Sequence, residues 1–347
     1  AKMACTHQRP RVCCQRRTVL CRAVVRSAQQ ASIADTEGDA FASWAERSGI
    51  RASRLMRVRE SGGGRGMVNV SEQGAPVVAG GRLVVLPRRL CIGVDKDGER
   101  GRPEWVESAA WAALEPEVRL ALALLHERRR GEESPLAGYV EQLPGSIETS
   151  PNFGAEAMRA IAPFYPAMER AANAQTGVFA QAHATLESLS PGTGVSLEEL
   201  TWATEMCRSR MFNGAFGPPA LSNFTRALGS AARVAVGAAA GVGVSAAAGA
   251  DIGPALALAL VAAVGAREVL AGSGEAKISS WALLPVIDSY NHRCGKPTSL
   301  EARENGDLVL CAARDVPAGE EGFISYGPLT NDTLILQYGF VEEECPT

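Results

Sequence analysis

The sequence predicts an α+β fold that is rich in short β-strands and carries a helical insertion, followed by a further apolar insertion of mostly Ala and Gly. Three observations support this class. The 347 residues are 46% hydrophobic and 21% charged, a globular composition with enough chain to bury a substantial core. Short apolar runs bounded by Gly and Pro lie on both sides of a long middle region. In that middle region the apolar residues recur at helical spacing.

Charge and cysteine content argue against several functional classes. The chain has 35 Lys and Arg against 38 Asp and Glu, a formal net charge of -3, so no global basic field would attract nucleic acid. The nine cysteines include no Cys-x-x-Cys pair, which argues against a zinc knuckle and against a thioredoxin-type redox site. Their scattered positions predict reduced thiols in an intracellular protein.

Residues 1–34 have the composition of an organelle transit peptide. They contain basic side chains but no Asp or Glu, and Ser, Thr, Ala and Cys lie between the arginines, as in chloroplast or mitochondrial presequences. A disordered basic arm that binds an acidic surface is the alternative. The basic residues are Lys2, Arg9, Arg11, Arg16, Arg17, Arg22 and Arg26.

Residues 41–102 predict the first half of the β-rich domain. Phe41 and Trp44 have the spacing of a short helix, and the glycines of Gly62–Gly66 predict a turn between two strands. The predicted strands are Leu55–Glu60, Met67–Val70 and a run within Pro76–Pro87.

Residues 103–216 predict the helical insertion. The apolar residues of Val118–Leu125 have helical spacing and precede the polar run His126–Glu133. His126 is interpreted as a residue at the C-terminal end of a helix, which the helix dipole favours, and no chemical role is assigned to it.

Residues 217–275 predict a second insertion of unusual composition. Asp251 interrupts two uncharged runs of 17 and 15 residues, 234–250 and 252–266. A membrane helix needs about 20 predominantly apolar residues, so neither run spans a bilayer comfortably by itself. Membrane contact through 234–266 and a helical hairpin in water are both compatible with this composition.

Residues 276–347 return to a β pattern and predict the second half of the β-rich domain. The predicted elements are the strands Trp281–Ile287, Leu308–Ala312 and Gly322–Tyr326 and a closing helix at Asn331–Tyr338.

Four separated groups of residues carry the chemical information. Taken singly, each has an ordinary structural explanation, such as a turn, a surface charge or a polar strand end. Their common order and spacing are more specific. The groups are Gly64–Met67, Ser209–Phe212, Asp288–His292, and Ile324–Gly327 followed by Tyr338–Val341.

This set closely resembles the SET-domain methyltransferases, and within them the Rubisco large-subunit lysine methyltransferase type, which has a helical insert. The resemblance runs from about Phe41 to Thr347. Ser134–Tyr139, which leads to Leu143-Pro144, is similar to a further segment of the family, and Glu320–Val341 matches its final signature. The resemblance implies the family's fold, a knot-like arrangement of small β-sheets.

The resemblance also implies a site for S-adenosyl-L-methionine. Gly66 and Met67 would contribute main-chain groups, because glycine allows the backbone to approach a ligand closely. Arg210 would bind the carboxylate of the cofactor through its guanidinium fork. Asn291 and His292 would form hydrogen bonds with the cofactor.

Tyr326 is the catalytic residue that the resemblance implies, and it is also expected to contact the cofactor. Its phenol would align the acceptor nitrogen with the transferred methyl group. Tyr338, Phe340 and Asp288 would line the substrate channel, and Asp288 would also position the Asn-His segment; core packing is the alternative role of the two aromatic residues. No second ligand lies at a suitable spacing from His292, so the sequence predicts no metal site.

The sequence departs from the family pattern in several places. Tyr290 stands where the family has an aliphatic residue and would narrow the pocket. Gly322 stands where an apolar strand residue is usual and would loosen the strand before Tyr326. The insertion 217–275 replaces a short connection, and the family's helical C-terminal domain is not in the sequence, so a fragment or a truncated form is expected.

The function that the resemblance implies is S-adenosylmethionine-dependent methylation of a lysine in a non-histone protein of the plastid, with Rubisco large subunit or aldolase as substrates. A monomer in the chloroplast stroma is expected, with or without membrane association, and a mitochondrial location is less favoured. Histidine methylation is an alternative within the enzyme class. A non-catalytic SET-like scaffold, tethered to a membrane through 234–266, is the alternative from another class, although the complete set of site residues argues against it.

Overall fold

A computed structural model describes residues 35–342, except for 62–63, 96–97, 148, 150–151, 164, 166, 215–279 and 304. The predicted transit peptide and the Ala/Gly-rich insertion therefore lie outside the described residues. In chain order the described elements are α1 (Asp35–Arg47), β1 (Arg51–Ala52), β2 (Met56–Ser61), β3 (Gly64–Asn69), β4 (Arg82–Leu86), β5 (Ile92–Asp95), α2 (Ser108–Ala113), α3 (Pro116–Arg130), α4 (Ala137–Gln142), α5 (Ala155–Ile161), α6 (Met168–Leu189), α7 (Leu197–Arg210), β6 (Phe212–Gly214), β7 (Ser280–Leu283), β8 (Asn291–His292), β9 (Thr298–Ala302), β10 (Leu308–Ala312), β11 (Glu321–Ile324) and α8 (Asn331–Tyr338).

The described strands form small sheets, and each sheet combines strands from both halves of the chain. The strand orders are β1-β4-β10-β9, β2-β3-β11-β8 and β5-β7-β6. Because the helical block separates these halves in the sequence, the sheets depend on long-range pairing, and the block projects from them as an insertion. The predicted α+β class is confirmed.

The second sheet brings three of the predicted motif groups together. β11 pairs antiparallel with β3, where Gly322 lies opposite Met67. On its other side β11 pairs in parallel with β8, where Ile324 lies opposite His292. The Gly-rich segment, the Asn-His pair and the strand that leads to Tyr326 are therefore neighbours in one sheet.

Helix α3 is the centre of the helical block and packs against α7 and β5. Its residues Val118–Leu125 are all buried, so the helix is enclosed on every side over two turns. Pro116 stands in the first turn, where its missing N–H costs no hydrogen bond. Gly131 follows the helix with a φ of 56°, a conformation that glycine adopts without strain.

Several element boundaries differ from the sequence-based predictions. Gly64–Gly66 belongs to β3 and not to the turn, because its backbone pairs with Arg59–Ser61 of β2. The run within Pro76–Pro87 forms a strand only over Arg82–Leu86. The strand predicted at Trp281–Ile287 ends at Leu283.

Two further observations concern cysteines and membranes. Cys294 is disulfide-bonded, so the prediction that all thiols are reduced is wrong for this residue. Cys91, Cys207 and Cys311 are free. Within the described ranges no helix is both long and apolar enough to cross a membrane, and residues 234–266 are outside those ranges.

Candidate active site

Tyr326 lies directly after β11, and two hydrogen bonds fix its position. Its main-chain N–H donates to Nδ1 of His292 over 2.9 Å. Its phenol donates to the main-chain oxygen of Tyr290 over 3.3 Å. Burial raises the pKa of the Tyr326 phenol, and Tyr338, Asp288 and Glu321 raise it further, against the opposing charge of Arg210. The phenol is therefore a neutral hydroxyl at physiological pH.

His292 supports Tyr326 in one defined protonation state. Its side chain is 2% exposed, and Nε2 lies 3.1 Å from Oε2 of Glu342. Because Nδ1 accepts the N–H of Tyr326, the network assigns the proton to Nε2, which donates to Glu342. Burial lowers the pKa of His292, and the nearby Glu342 only partly opposes this effect. The imidazole is therefore held neutral.

This protonation state predicts a pH dependence of stability. Because the folded protein lowers the pKa of His292, the stabilisation is fully present above the ordinary value of about 6.5 and decreases as the pH falls below it. Urea unfolding between about pH 5 and 8 measures this slope. We expect His292→Gln to remove part of this slope. Equal slopes in the parent and His292→Gln would contradict the assignment.

Tyr326, His292, Tyr338 and Phe340 form an aromatic cluster. The ring centroids of Tyr326 and Tyr338 are 4.8 Å apart, and those of Tyr326 and His292 are 5.0 Å apart. Phe340 lies 6.2 Å from both His292 and Tyr338. All four rings are at least half-buried, so they form one wall around the Tyr326 phenol, and the structure places the predicted channel residues Tyr338 and Phe340 beside it.

Arg210 and Asp288 form a second group close to the Tyr326 phenol. Nη1 of Arg210 donates to the main-chain oxygen of Asp288 over 3.3 Å and lies 3.8 Å from its Oδ2. The Asp288 carboxylate is fully buried. Burial raises the pKa of Asp288, although Arg210 and Tyr139 partly offset this effect. Because its side chain is 0% exposed, Asp288 does not line an open channel, and its contacts with Tyr139 and Arg210 fix the segment that precedes the Asn-His pair.

Tyr139 is a site residue that the sequence interpretation did not assign. It comes from α4 in the helical block, and its hydroxyl donates to Oδ2 of Asp288 over 2.6 Å. The segment Ser134–Tyr139 was a signal for it, because the segment matches the family pattern. The contact itself joins residues that are 149 positions apart, so sequence spacing does not predict it.

We expect Tyr139→Phe to destabilise the protein by about 1–3 kcal/mol, because the buried Oδ2 of Asp288 loses its hydroxyl donor. The free energy of unfolding in urea measures the loss. A Tyr139→Phe variant as stable as the parent would show that the bond contributes nothing net.

A third group lies at the Gly-rich strand. Nδ2 of Asn291 donates to the main-chain oxygen of Arg65 over 2.9 Å and to Oε1 of Glu321 over 2.6 Å. A Cβ atom at Gly66 would lie 2.0 Å from Oε1 of Glu321 and 2.8 Å from Nδ2 of Asn291. Gly66 therefore has to be glycine for these polar side chains to reach the backbone. Met67 is 3% exposed, so its side chain belongs to the core and only its main chain is available.

The Arg210–Asp288 pair has two buried polar atoms without a hydrogen-bond partner among the described residues. These atoms are Nε of Arg210 and Oδ1 of Asp288. A buried donor or acceptor without a partner costs free energy, so such atoms mark a place where a polar ligand fits. The guanidinium of Arg210 is a cationic donor of the kind that suits the carboxylate of a ligand.

His292, Cys294 and Glu342 also bring three potential metal ligands together. Their ligand atoms lie within 4.8 Å of one another, a proximity that the sequence spacing did not predict because Glu342 is 50 positions from His292. Sγ of Cys294 lies 3.1 Å from Oε2 of Glu342. Cys294 is disulfide-bonded, however, and a disulfide sulfur offers no thiolate to a metal.

A separate cavity of about 520 Å³ lies in the helical block. Its lining includes Val140 and Glu141 of α4 and Trp202 of α7, and none of the predicted site residues. Tyr139 lies between these α4 residues and Asp288, so the cavity and the site flank the same short helix. The site described above is therefore defined by its side chains and not by this cavity.

The comparisons with known proteins identify the fold. No protein-family model matches the chain. A solved structure of the SET domain of LSMT bound to methyl-lysine and AdoHcy superposes with a TM-score of 0.58 and 18% identity, and covers 90% of this chain and 58% of that one. A structure of Rubisco LSMT bound to AdoMet has a TM-score of 0.53 and 18% identity, and covers 89% of this chain and 57% of that one. The chain has the SET-domain fold, so the resemblance seen in its motifs is confirmed at the level of fold.

One curated relative is similar over a short segment. The actin-histidine N-methyltransferase of Drosophila melanogaster is 43% identical over 61 residues, which are 18% of this chain and 11% of that protein. The chain thus spans a little over half the length of the matched LSMT structures and a small part of this relative.

Proposed function

We propose that the chain is an S-adenosylmethionine-dependent protein-lysine N-methyltransferase that acts on a non-histone protein. The observation that carries this proposal is the Tyr326 phenol, which donates to the Tyr290 main-chain oxygen, packs beside the Tyr338 ring and is affected by the charges of Arg210 and Asp288. The SET fold supports it, because the matched structures were solved with AdoMet or with AdoHcy and methyl-lysine.

The residues present fit S-adenosylmethionine. Nε of Arg210, which has no hydrogen-bond partner in the part of the chain that the structure describes, is suited to the carboxylate of the amino-acid part of the cofactor. Asn291 and Glu321 place polar side-chain groups against the β3 backbone at Gly66, and polar groups of the cofactor would meet them there. When bound, S-adenosylmethionine supplies a methyl group activated by a positively charged sulfur.

The residues of the chain contribute orientation and an environment of low polarity. The raised pKa of Tyr326 keeps its phenol protonated, so Tyr326 orients the acceptor and does not remove its proton. A free lysine amine has a pKa of about 10.4, and burial among the rings of Tyr326, Tyr338 and Phe340 favours the neutral amine that can react. Holding this amine in one orientation contributes much of the rate, on the order of 7–11 kcal/mol in well-oriented reactions.

Methylation of a histidine is the second candidate, and the similarity to the actin-histidine methyltransferase favours it. A neutral imidazole fits an aromatic channel as a neutral amine does. Hydrolysis of the methylated product followed by amino-acid analysis separates the two candidates. Methyl-lysine supports the proposal, and methyl-histidine replaces it with the second candidate.

The test of the proposed function uses residues 35–347 with labelled S-adenosylmethionine and a stromal protein extract. A labelled protein that requires Tyr326 supports the enzyme and delivers its substrate for identification. If no protein is labelled, calorimetry with the cofactor decides what remains. Heat of binding would leave the enzyme class standing with a missing recognition domain, whereas an empty pocket at millimolar cofactor would favour the non-catalytic scaffold.

We further propose a plastid location and stromal substrates such as Rubisco large subunit or aldolase, with the chain acting as a monomer. The acid-free, basic composition of residues 1–34 supports the location. A reporter fused to residues 1–34 should enter the chloroplast, and a cytosolic reporter would reject the transit peptide. Carbonate extraction of isolated chloroplasts tests membrane contact through 234–266, because a wholly soluble protein would reject the tether.

A further inference from the structure

The two departures from the family pattern at Tyr290 and Gly322 lie against each other. Tyr290 is fully buried. A Cβ atom built on Gly322 would lie 3.1 Å from Cε1 and 3.5 Å from Cδ1 of the Tyr290 ring, and 2.9 Å from Cε of Met56. Met56 has a flexible end that can shift, but the ring is rigid and enclosed. The large residue at 290 thus occupies the space that the missing side chain at 322 leaves.

The position of the Tyr290 ring is coupled to the catalytic centre through the main chain. The carbonyl oxygen of Tyr290 accepts the hydrogen bond of the Tyr326 phenol over 3.3 Å. Its N–H donates to the oxygen of Ile287 over 3.3 Å, at the end of a short turn. Asn291 follows immediately and begins β8. A shift of the ring therefore moves the acceptor that orients the phenol.

We propose that Tyr290 is a positioning residue for Tyr326 and that Gly322 is its required complement. The ring, seated over Gly322, holds the Tyr290 carbonyl where the Tyr326 phenol needs it. This proposal rests on the proposed function, because it concerns the residue that orients the acceptor. It corrects both expectations from the sequence: Tyr290 packs beneath the sheet instead of narrowing the pocket, and Gly322 makes room for a ring instead of loosening the strand.

The ring and not the hydroxyl carries this role. The Tyr290 hydroxyl is buried and has no hydrogen-bond partner among the described residues. Tyr290→Phe keeps the ring and removes only that hydroxyl, so the carbonyl stays in place. Tyr290→Leu leaves a void beside Gly322, and Gly322→Val forces its side chain into the ring. The smaller side chain at 290 and the larger one at 322 compensate in volume, so the double variant Tyr290→Leu/Gly322→Val should restore the packing.

The experiment is a double-mutant cycle with two readouts. The first is methyl transfer, separated into kcat and the KM for S-adenosylmethionine. We expect each single variant to lower kcat on the order of 10- to 100-fold with a smaller change in KM, because misplacement of an orienting group affects the reaction more than binding. The double variant should recover to within about threefold of the parent, as should Tyr290→Phe.

The second readout is fluorine NMR of protein labelled with fluorotyrosine, which does not depend on activity. The chain contains 5 tyrosines, so the Tyr326 signal can be assigned by its loss in Tyr326→Phe. We expect Gly322→Val to shift this signal and the double variant to return it. Phe179→Leu, a buried aromatic replacement in α6, is the control for lost stability and should move neither kcat nor the signal.

The outcomes separate this proposal from the proposed function. Additive losses in the double variant, or an unmoved Tyr326 signal in Gly322→Val, would overturn the positioning role even in an active enzyme. A parent that neither transfers methyl groups nor binds S-adenosylmethionine would reject the proposed function, and the fluorine signal would still decide whether Tyr290 and Gly322 position Tyr326.

Discussion

Replacement of Tyr326 by Phe is expected to lower methyl transfer about 100-fold while the fold stays intact, because one positioned hydroxyl is removed and the ring is kept. The phenol is the only part of the side chain that reaches the Tyr290 carbonyl, at 3.3 Å. The contacts of the ring with His292 and Tyr338 survive the change. Initial rates with saturating cofactor and protein substrate measure the loss.

Tyr338→Phe is the matched control for this prediction. It removes a hydroxyl from the neighbouring ring, whose centroid lies 4.8 Å from that of Tyr326. The hydrogen bond from Tyr326 to the Tyr290 carbonyl is kept. We expect a loss below tenfold for this variant. Equal rates for Tyr326→Phe and the parent would show that the phenol does not orient the reaction, and would move the catalytic role to another group of the site.

The motif order in the sequence was sufficient to predict which segments meet. The Gly-rich segment, the Asn-His pair and the strand before Tyr326 were expected to share one site, and they are neighbours in one sheet. The prediction worked because the motif groups occur in the order of the resembled family, whose fold the chain shares. The closing helix has the predicted bounds, Asn331–Tyr338, because its cap Thr330 and its C-terminal Gly339 are local signals.

The contacts that the sequence did not predict are all between side chains distant in the chain. Tyr139 reaches Asp288 from the helical block, and Glu342 reaches His292 from beyond the closing helix. Neither contact has a periodic or local signature, because each depends on how separate elements pack. Glu342 nevertheless fixes the tautomer of His292 that accepts the N–H of Tyr326. A residue outside the motifs therefore determines the protonation state of a motif residue.

Tyr290 and Gly322, which both depart from the family pattern, also show that contacts between distant residues are not predicted from the sequence. Each residue departs from the family pattern when it is considered by itself, and the expected effects were a narrower pocket for Tyr290 and a looser strand for Gly322. The structure shows that one supplies the volume that the other lacks. A sequence pattern that treats each position independently does not detect that two side-chain volumes compensate each other.

Replacement of Arg210 by Lys is expected to weaken S-adenosylmethionine binding about 10- to 100-fold, because hydrogen bonds to charged groups contribute about 1.5–3 kcal/mol and an ammonium cannot reproduce the guanidinium fork. The variant keeps the positive charge beside the buried Asp288 carboxylate, so the loss does not come from an uncompensated charge. Calorimetry on the folded variant measures the dissociation constant directly.

Arg208→Lys provides the control on the same helix. Arg208 pairs with Glu117 over 3.0 Å and lies over the ring of Phe179, away from the Arg210–Asp288 pair. Its replacement should lower the unfolding temperature slightly and change the dissociation constant less than twofold. If both variants weaken cofactor binding equally, the effect belongs to the helix as a whole. If only Arg210→Lys does so, the result supports binding of the cofactor carboxylate by the Arg210 guanidinium, whose Nε has no hydrogen-bond partner among the described residues.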